Sequence, residues 1–404
     1  MHEQQQSKKH CVNLSLLTPL HVGTGQDLDP FSYVIDGDRL FFIDLIRWIN
    51  HFPDKALLDK MMETDNFAAV RTFIAKNISA KDFAVSAVAI ECPELLTTYR
   101  NAIERQDPRN QVLIRPVMRN EINGHPYIPG SSVKGAIRTA LANRFVKKAG
   151  VTSADDRRVR GMPDYNEKIF GRIKDDPMRW LKIGDIPLGD ESSVIIEAKE
   201  HSRDPKKIAT PKGFFEVVRG LSQIRQSIAF PLSFSLAPFR LHDQTVDADY
   251  IIDSLNRFYI PKYMEEYKKF YARTGMEKVR EILAPVMKRI ESMKTNEALI
   301  RIGHFSHIEC VTLDEVRKPA TRKDRSGNPL PWGTTRTLAN GLHPFGWTLL
   351  EFTDLKAEVR PPVLRNERTE PTAIGGERRS VADGGKKSPP ADLSDLKKKF
   401  TVKE

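Results

Sequence analysis

Residues 127–138 constrain the fold of this chain more than any other stretch, because they join a turn signal to a helix start. They read Tyr-Ile-Pro-Gly-Ser-Ser-Val-Lys-Gly-Ala-Ile-Arg. The Pro-Gly pair at 129–130 predicts a turn, and either Ser131 or Ser132 can cap the helix that follows. Apolar residues then recur at helical spacing, which predicts a helix over 133–149.

The start of this predicted helix suits a phosphate group. Free N–H groups and the helix dipole favour an anion there, and Lys134 and Arg138 share a helical face because they are four residues apart. The small residues that let another backbone approach closely are Gly130, Ser131, Ser132 and Gly135. An ordinary capped helix with solvated basic side chains fits the same pattern. A Walker loop does not, because the lysine precedes the glycine, so a nucleotide hydrolase is not favoured.

A second glycine-punctuated loop lies near the N-terminus. Residues 12–17 alternate apolar and polar side chains, which predicts a half-buried strand. The strand runs into Leu-Thr-Pro-Leu-His-Val-Gly-Thr-Gly at 17–25, so His21, Gly23 and Gly25 are predicted to lie in the loop after it.

Taken together, these two stretches resemble the signature segments of the RAMP superfamily of CRISPR RNA-binding proteins. Three later segments also resemble that superfamily: WLKIGD at 180–185, FFEVVRGLSQIRQSI at 214–228 and PFGWTLLEF at 344–352. The match is greatest to RAMP subunits of type III-A (Csm) effector complexes, and among them to the terminal subunit that caps the 3′ side of the CRISPR RNA. The segment 302–307 carries one glycine, Gly303, where the superfamily usually has a glycine-dense loop.

The resemblance and the element pattern together predict an α+β fold of two ferredoxin/RRM-like (RAMP) domains. We expect the first over 1–230, with a helical insertion at about 44–107, and the second over 231–357, with a helical insertion at about 247–296. Residues 358–404 are rich in proline, glycine and charge, which predicts a disordered tail. Residues 308–313 are predicted to form a strand. A stripe of apolar residues is predicted to face the core, namely Val279, Leu283, Val286, Ile290 and Met293.

Composition favours a polyanionic partner. The 404 residues carry a formal net charge of +11, which points to nucleic acid before an acidic membrane. The three cysteines are far apart, so neither a zinc ribbon nor a disulfide framework is indicated, and a reducing cytoplasm is the expected location. We expect no signal peptide, membrane span, metal site or cofactor.

The resemblance implies that the chain holds RNA through its backbone phosphates, and basic residues elsewhere would extend the track. The predicted RNA-binding residues are His21, Gly23, Gly25, Gly130, Ser131, Ser132, Lys134, Arg138, Arg219 and Arg336. Arg322, Lys323 and Arg325 belong to the same predicted track. No residue is assigned a catalytic role, and Asp27 and Asp29 are interpreted as carboxylates that stabilise their loop.

The function implied is therefore a non-enzymatic CRISPR RNA-binding subunit that binds the RNA near its 3′ end, caps the filament and supports CRISPR RNA maturation. Its expected partners are CRISPR RNA and the other Csm subunits, especially the RAMP backbone subunit, with target RNA and host nucleases as further candidates. One alternative is a metal-independent RAMP endoribonuclease with His21 as general base. Another is a phosphate-ligand enzyme that uses the loop at 127–138.

Overall fold

Two β-sheets, each covered by helices, make up the fold of this protein in a computed structural model. The structure describes residues 7–106, 111–152, 164–204, 206–316 and 333–358. The predicted basic segment around Arg322, Lys323 and Arg325 and the predicted tail lie outside the described residues. Strands and helices are mixed along the chain, so the predicted α+β class is confirmed.

The strands are β1 Lys8–Leu16, β2 Tyr33–Asp36, β3 Arg39–Ile43, β4 Ala84–Ile90, β5 Ile114–Arg115, β6 Tyr127–Ile128, β7 Leu181–Ile183, β8 Ile186–Pro187, β9 Ser193–Ser202, β10 Thr210–Val218, β11 Ala229–Leu236, β12 Phe239–Leu241, β13 Gln244–Val246, β14 Glu297–Arg301, β15 Thr335–Ala339, β16 His343–Pro344 and β17 Trp347–Phe352.

The α-helices are α1 Leu45–His51, α2 Lys55–Met62, α3 Phe67–Asn77, α4 Ala80–Phe83, α5 Pro93–Arg105, α6 Gly130–Phe145, α7 Tyr165–Phe170, α8 Leu221–Ile224, α9 Ala248–Glu266, α10 Glu277–Glu291 and α11 His307–Val311. A π-helical turn, Tyr267–Tyr271, follows α9, and short 3₁₀ turns lie at Ile173–Asp175, Pro177–Trp180 and Asp190–Ser192.

The first sheet is antiparallel, in the order β14-β17-β1-β11-β7. β1 lies at its centre, and Leu14 stands opposite Phe230 on one side and Leu350 on the other. Val12, Leu14 and Leu16 are buried, as the alternating pattern predicted, because successive strand residues point to opposite faces. Helices α6, α9 and α10 share one apolar core with this sheet.

The second sheet has the strand order β16-β15-β9-β4-β3-β2. Two further strands branch from this order, since β10 also pairs with β9, and β5 pairs with β10. The pairs β4 with β9 and β5 with β10 are parallel, and the other pairs are antiparallel. Helices α1 to α3 form a small core of their own with the outer strands of this sheet.

Each sheet contains strands from both ends of the chain. In the first sheet, β17 and β14 join β1 and β11; in the second, β15 and β16 join β9. This arrangement brings the segments after β1, β10 and β14 to one place. Thr18 is fixed there, since its hydroxyl accepts the N–H of Trp347 at 2.9 Å, and Leu20 bridges to Val218 of β10.

Four details of the sequence interpretation need correction. The helix predicted from 133 begins three residues earlier, at Gly130, and Pro129 rather than a serine is its cap residue. The predicted strand at 308–313 is wrong, because His307–Val311 is helix α11; a segment of six residues is too short for its pattern to distinguish a strand from a helix. The segment at 44–107, predicted to be a helical insertion, also contains β4.

The predicted apolar stripe is confirmed as core, since its five side chains are all buried in the cluster shared with the first sheet. Pro285 lies within α10, and α9 carries an internal proline of its own, Pro261. Among the described helices, none has the combination of length and apolar character that a membrane crossing requires.

Candidate nucleic-acid interface

Three segments meet around a cleft of about 490 Å³, which we call the signature cleft. They are the loop after β1 (residues 21–25), one face of α6, and the segment after β14 (residues 301–311). Arg115 of β5 and Tyr259 of α9 complete its lining. The two stretches singled out in the sequence, which are more than 100 residues apart, therefore share one site.

His21 holds the first loop in place. Its side chain is buried, and its Nδ1–H donates to the carbonyl oxygen of Glu216 at 2.7 Å. Burial lowers the pKa of His21 to about 4, although the hydrogen bond to Glu216 acts in the opposite direction. The imidazole is consequently neutral near pH 7 and serves first as a fixed part of the loop.

The two glycines of this loop have different roles. A Cβ on Gly23 would lie 2.5 Å from the carbonyl oxygen of Pro116, so a side chain there would push the loop away from the neighbouring segment. Gly25 is exposed and has open space around it, but its φ is +84°, a backbone conformation that favours glycine.

Helix α6 turns one face to the cleft and the opposite face to β7. Ser132, Gly135 and Thr139 line the cleft. Lys134 and Arg138 share a face, as predicted, but both lie outside the cleft lining, on the side of α6 that contacts β7 and the segment before it.

The two basic side chains of α6 have partners within the protein. Lys134 Nζ donates to the carbonyl oxygen of Leu181 at 2.7 Å, and burial lowers its pKa. Arg138 donates to the Asp176 carboxylate at 2.7 Å and stacks 3.9 Å above the Phe170 ring. These contacts tie α6 to the segment before β7.

The N-terminus of α6 already holds an anion. The N–H of Gly130 donates to Oδ1 of Asp185 at 2.8 Å, so a carboxylate of the protein lies where a phosphate was predicted. A Cβ on Gly130 would collide with the carbonyl oxygens of Gly184 and Ile183, which makes glycine necessary for the packing of α6 against β7. Ser131 beside it is exposed and lies outside the cleft lining.

The segment after β14 needs only one glycine, Gly303, to pack against the loop after β1. Gly303 has φ of +84°, and a Cβ on it would lie 2.5 Å from the carbonyl oxygen of His21. The N–H of His304 donates to that same oxygen at 2.8 Å. The single glycine therefore allows direct contact between the two loops and leaves the exposed His304 ring on the cleft wall.

Arg115 is a cleft residue that the sequence interpretation missed. Its guanidinium lies 5.2 Å from the centre of the Phe215 ring and 3.4 Å from the Asp27 carboxylate, and 41% of its side chain is exposed. No motif marks this arginine, because its position depends on the parallel pairing of β5 with β10. The nearby Asp29 accepts the N–H of Phe31 at 2.8 Å, as expected of a loop-stabilising carboxylate.

Beneath the cleft lies a buried ion network centred on Glu266. Its carboxylate accepts hydrogen bonds from Arg301, from Arg336 at 2.9 Å and from the Tyr271 hydroxyl at 2.8 Å. Burial alone would raise the pKa of Glu266, but the two arginines outweigh it and hold the pKa well below its ordinary value.

This network gives Arg336 its partners inside the protein. Its guanidinium is buried and is bonded to Glu266 and Glu309, so it supports the cleft floor from inside the protein. Arg219 is not in the cleft either. It pairs with Glu91 at 2.9 Å and donates to the carbonyl oxygen of Glu191.

The cleft thus offers a few fixed hydrogen-bond donors and a modest positive charge. His304 and His307 are both neutral near pH 7, because burial and the neighbouring arginines lower their pKa values. Within the described parts of the chain, no group of three His, Cys, Asp or Glu side chains is placed to hold a metal ion. The arrangement is suited to binding an anionic backbone by shape and hydrogen bonds.

Comparison with known proteins identifies the class. The RAMP superfamily model matches residues 13–305, which is most of the chain and includes the first loop, the cleft face of α6 and the start of the segment after β14. The chain belongs to the RAMP superfamily, and the resemblance noted in the sequence is confirmed.

Within that superfamily the chain is similar to the protein called Csm5. It is 22% identical to the CRISPR system Cms protein Csm5 of Streptococcus thermophilus over 280 residues, which cover 64% of this chain and 71% of that protein. It is 26% identical to Csm5 of Methanocaldococcus jannaschii over 226 residues, 54% of this chain, and spans about half of that relative's length, 52%.

Solved structures agree on the fold. A chain of the cryo-EM structure of a Csm–crRNA–target RNA ternary complex in a type III-A CRISPR-Cas system matches with a TM-score of 0.58 at 18% identity, covering 85% of this chain and 100% of that chain. The crystal structure of T. onnurineus Csm5 matches with a TM-score of 0.52 at 18% identity, covering 83% and 99% respectively.

Proposed function

We propose that this protein is a non-enzymatic, RNA-binding subunit of a type III-A CRISPR effector complex. In this proposal it holds the CRISPR RNA backbone in the signature cleft near the 3′ end, caps the filament and supports maturation of the RNA. The observation that carries the proposal is the meeting of residues 21–25, the Ser132–Thr139 face of α6 and the Gly303 loop around one cleft. The likeness to Csm5 supports the assignment to such a complex.

The mode of binding follows from the groups that line the cleft. Arg115 provides the exposed positive charge, and Ser132, His304 and the loop at 23–25 provide neutral polar groups. Such groups contact phosphates and riboses and carry no base identity, so binding is expected to tolerate changes of RNA sequence. With one exposed arginine among the described residues of the lining, the dependence of affinity on salt should be shallow, with a log–log slope of about 0.7 per neutralised phosphate on single-stranded nucleic acid.

The geometry of His21 supports the non-enzymatic role over the ribonuclease alternative. A general base works best when its pKa lies near the working pH, whereas burial places the pKa of His21 at about 4. The test is incubation of the full chain with labelled repeat RNA in the presence of EDTA. Cleavage that His21→Ala abolishes would favour the ribonuclease.

Gly135 offers a direct test of the cleft. It is exposed within α6, lines the cleft, and has open space where its Cβ would be. Gly135→Glu places a carboxylate among the proposed phosphate contacts, where like charges together cost several kcal/mol. We expect the affinity for single-stranded RNA to fall at least about tenfold, measured by filter binding.

Gly135→Ala is the matched control. Replacing glycine with alanine inside a helix stabilises it by about 0.5–1 kcal/mol and adds only a methyl group to the cleft. We expect this variant to bind RNA almost as the wild-type chain does and to melt at an equal or higher temperature. A well-folded Gly135→Glu protein with wild-type affinity would show that the RNA runs elsewhere.

The expected partners are part of the same proposal: CRISPR RNA, the other Csm subunits with the RAMP backbone subunit foremost, and target RNA, with a cytoplasmic location. Co-purification from the native host, with sequencing of the bound RNA, tests them together. Recovery of CRISPR RNA with Csm subunits is the expected result, and recovery of the chain with neither would contradict it.

A further inference from the structure

A second cavity, of about 510 Å³, lies beside the signature cleft on the helical insertion. We call it the aromatic groove, and the residues that define it are Asp27, Phe31, Phe67, Arg71, Gln111 and Leu113. Its volume is within the range of about 300–1,000 Å³ that is usual for small-ligand sites. None of the residues predicted from the sequence to bind RNA lies in it.

Two parallel phenyl rings form one wall of the groove. The rings of Phe31 and Phe67 have centroids 6.0 Å apart and planes inclined by only 21°. Phe67 is 70% exposed, and Leu113 on the other side is 47% exposed. The position of Phe67 is fixed because it begins α3, where the Asn66 side chain caps the helix by accepting the N–H of Ala69.

The groove lies next to the signature cleft along the chain. The chain segment that lines the cleft at 21–25 goes on to line the groove at 27–31, and residues 111–113 of the groove lead directly to Arg115. The contact of Arg115 with Asp27, at 3.4 Å, marks the border between the two. A strand whose phosphate lies at Arg115 would have its neighbouring nucleotide at the mouth of the groove.

We propose that the aromatic groove stacks an unpaired nucleobase of the RNA strand that the cleft holds, an inference that rests on the proposed function. The exposed face of Phe67 is the stacking surface, since every base has a π-face that stacks on an aromatic ring. The carboxylate of Asp29 at the rim disfavours phosphate and offers an acceptor to base amino groups, whereas Asp27 is paired with Arg115 at the border. The groove therefore receives the base, and the backbone stays on the side of Arg115.

The test combines one protein variant with one RNA modification. Phe67→Ala removes the stacking surface, and an abasic nucleotide moved stepwise along a single-stranded RNA removes the base. Stacking of one base contributes about 1–3 kcal/mol, so we expect Phe67→Ala to weaken binding by roughly 5- to 150-fold. An abasic nucleotide at one position should cost a similar factor, and Phe67→Ala should then cost almost nothing more on that RNA.

Ile46→Ala is the matched control, because Ile46 is equally exposed (73%), lies on α1 of the same insertion and is outside the groove. It should bind RNA as the wild-type chain does. The proposal is overturned if Phe67→Ala leaves RNA affinity unchanged, or weakens intact and abasic RNA equally at every position. It is also overturned if Phe67→Ala only reduces recovery of a Csm subunit, which would make the groove a protein contact.

These outcomes can be distinguished from a failure of the proposal that RNA binds in the signature cleft. Loss of binding in Gly135→Glu together with wild-type binding in Phe67→Ala would support the proposed function and contradict the stacking of a base in the groove. Wild-type binding in Gly135→Glu would instead contradict the cleft itself.

Discussion

At the scale of single residues, the signature cleft depends on a carboxylate that never reaches its surface. Glu266 lies at the end of α9 and is bonded to Arg301, which lines the cleft, and to Arg336, which comes from β15. A buried carboxylate between two buried guanidinium groups keeps three distant segments in register. Removing one member leaves the others as uncompensated buried charges.

Glu266→Gln should therefore destabilise the protein strongly. We expect the free energy of unfolding to fall by about 3–5 kcal/mol, measured by denaturant titration at neutral pH. Glu265→Gln is the control. The carboxylate of Glu265, next to Glu266 in the chain, pairs with Lys269 on the surface, where such pairs contribute about 0–1 kcal/mol. Equal, small losses in the two variants would contradict the structural role of the network.

The difference in the free energy of unfolding between the wild-type and Glu266→Gln proteins should depend on pH, and the direction can be stated. The two arginines depress the pKa of Glu266 in the folded state below its value in the unfolded chain. Its contribution to stability is therefore fully present above the ordinary pKa of glutamate and is lost as the pH falls below it. The wild-type and Glu266→Gln proteins should become more alike in stability as the solution is acidified.

At the scale of elements, α6 shows what its sequence could and could not reveal. The spacing of Lys134 and Arg138 placed them correctly on one face, and the small residues correctly marked a close approach. The spacing does not predict which part of the protein each face of α6 contacts. That depends on β7 and Asp185, which lie about 50 residues later, so the basic face was assigned to RNA although it contacts protein.

The double variant Lys134→Ala with Arg138→Ala separates these roles. It should lower the free energy of unfolding by about 1–2 kcal/mol, because it removes a partly exposed ion pair, a cation–π contact and the bond to Leu181. Its RNA affinity and salt dependence should remain close to wild type. A flattened salt dependence in a protein of unchanged stability would return these residues to the RNA interface.

Arg115 and the aromatic groove were beyond sequence reasoning for the same physical reason. Local spacing predicts local faces, whereas Arg115 reaches the cleft through a two-residue parallel pairing of β5 with β10. Glu266 and Arg336 likewise become partners only through the packing of α9 beneath β14 and β15. By contrast, the buried apolar stripe of α10 follows from local pattern and was predicted.

At the scale of the whole molecule, each of the two large sheets pairs strands from the first half of the chain with strands from its second half. The predicted domain boundary at 230 falls inside β11, and β1 pairs on one side with β17. The division into 1–230 and 231–357 stays a prediction, and the pairing of strands suggests how to test it.

A fragment ending at Ala237 keeps β11 whole but lacks β14, β15 and β17. We expect it to unfold without a cooperative transition in calorimetry, because β1 and β9 would each lose an antiparallel neighbour and expose apolar surface. Co-expression with residues 238–404 should restore a single transition. Cooperative unfolding of the first fragment alone would show that it is an independent domain.

The central claim, that RNA lies in the signature cleft, is tested most directly by photo-crosslinking. The full chain would be bound to single-stranded RNA containing 4-thiouridine, irradiated, and digested for mass spectrometry. We predict adducts at residues 21–25, on the Ser132–Thr139 face of α6 and at 303–311. Adducts confined to the segment around Asp176 and Leu181, beside Lys134 and Arg138, with none in the cleft, would contradict the account.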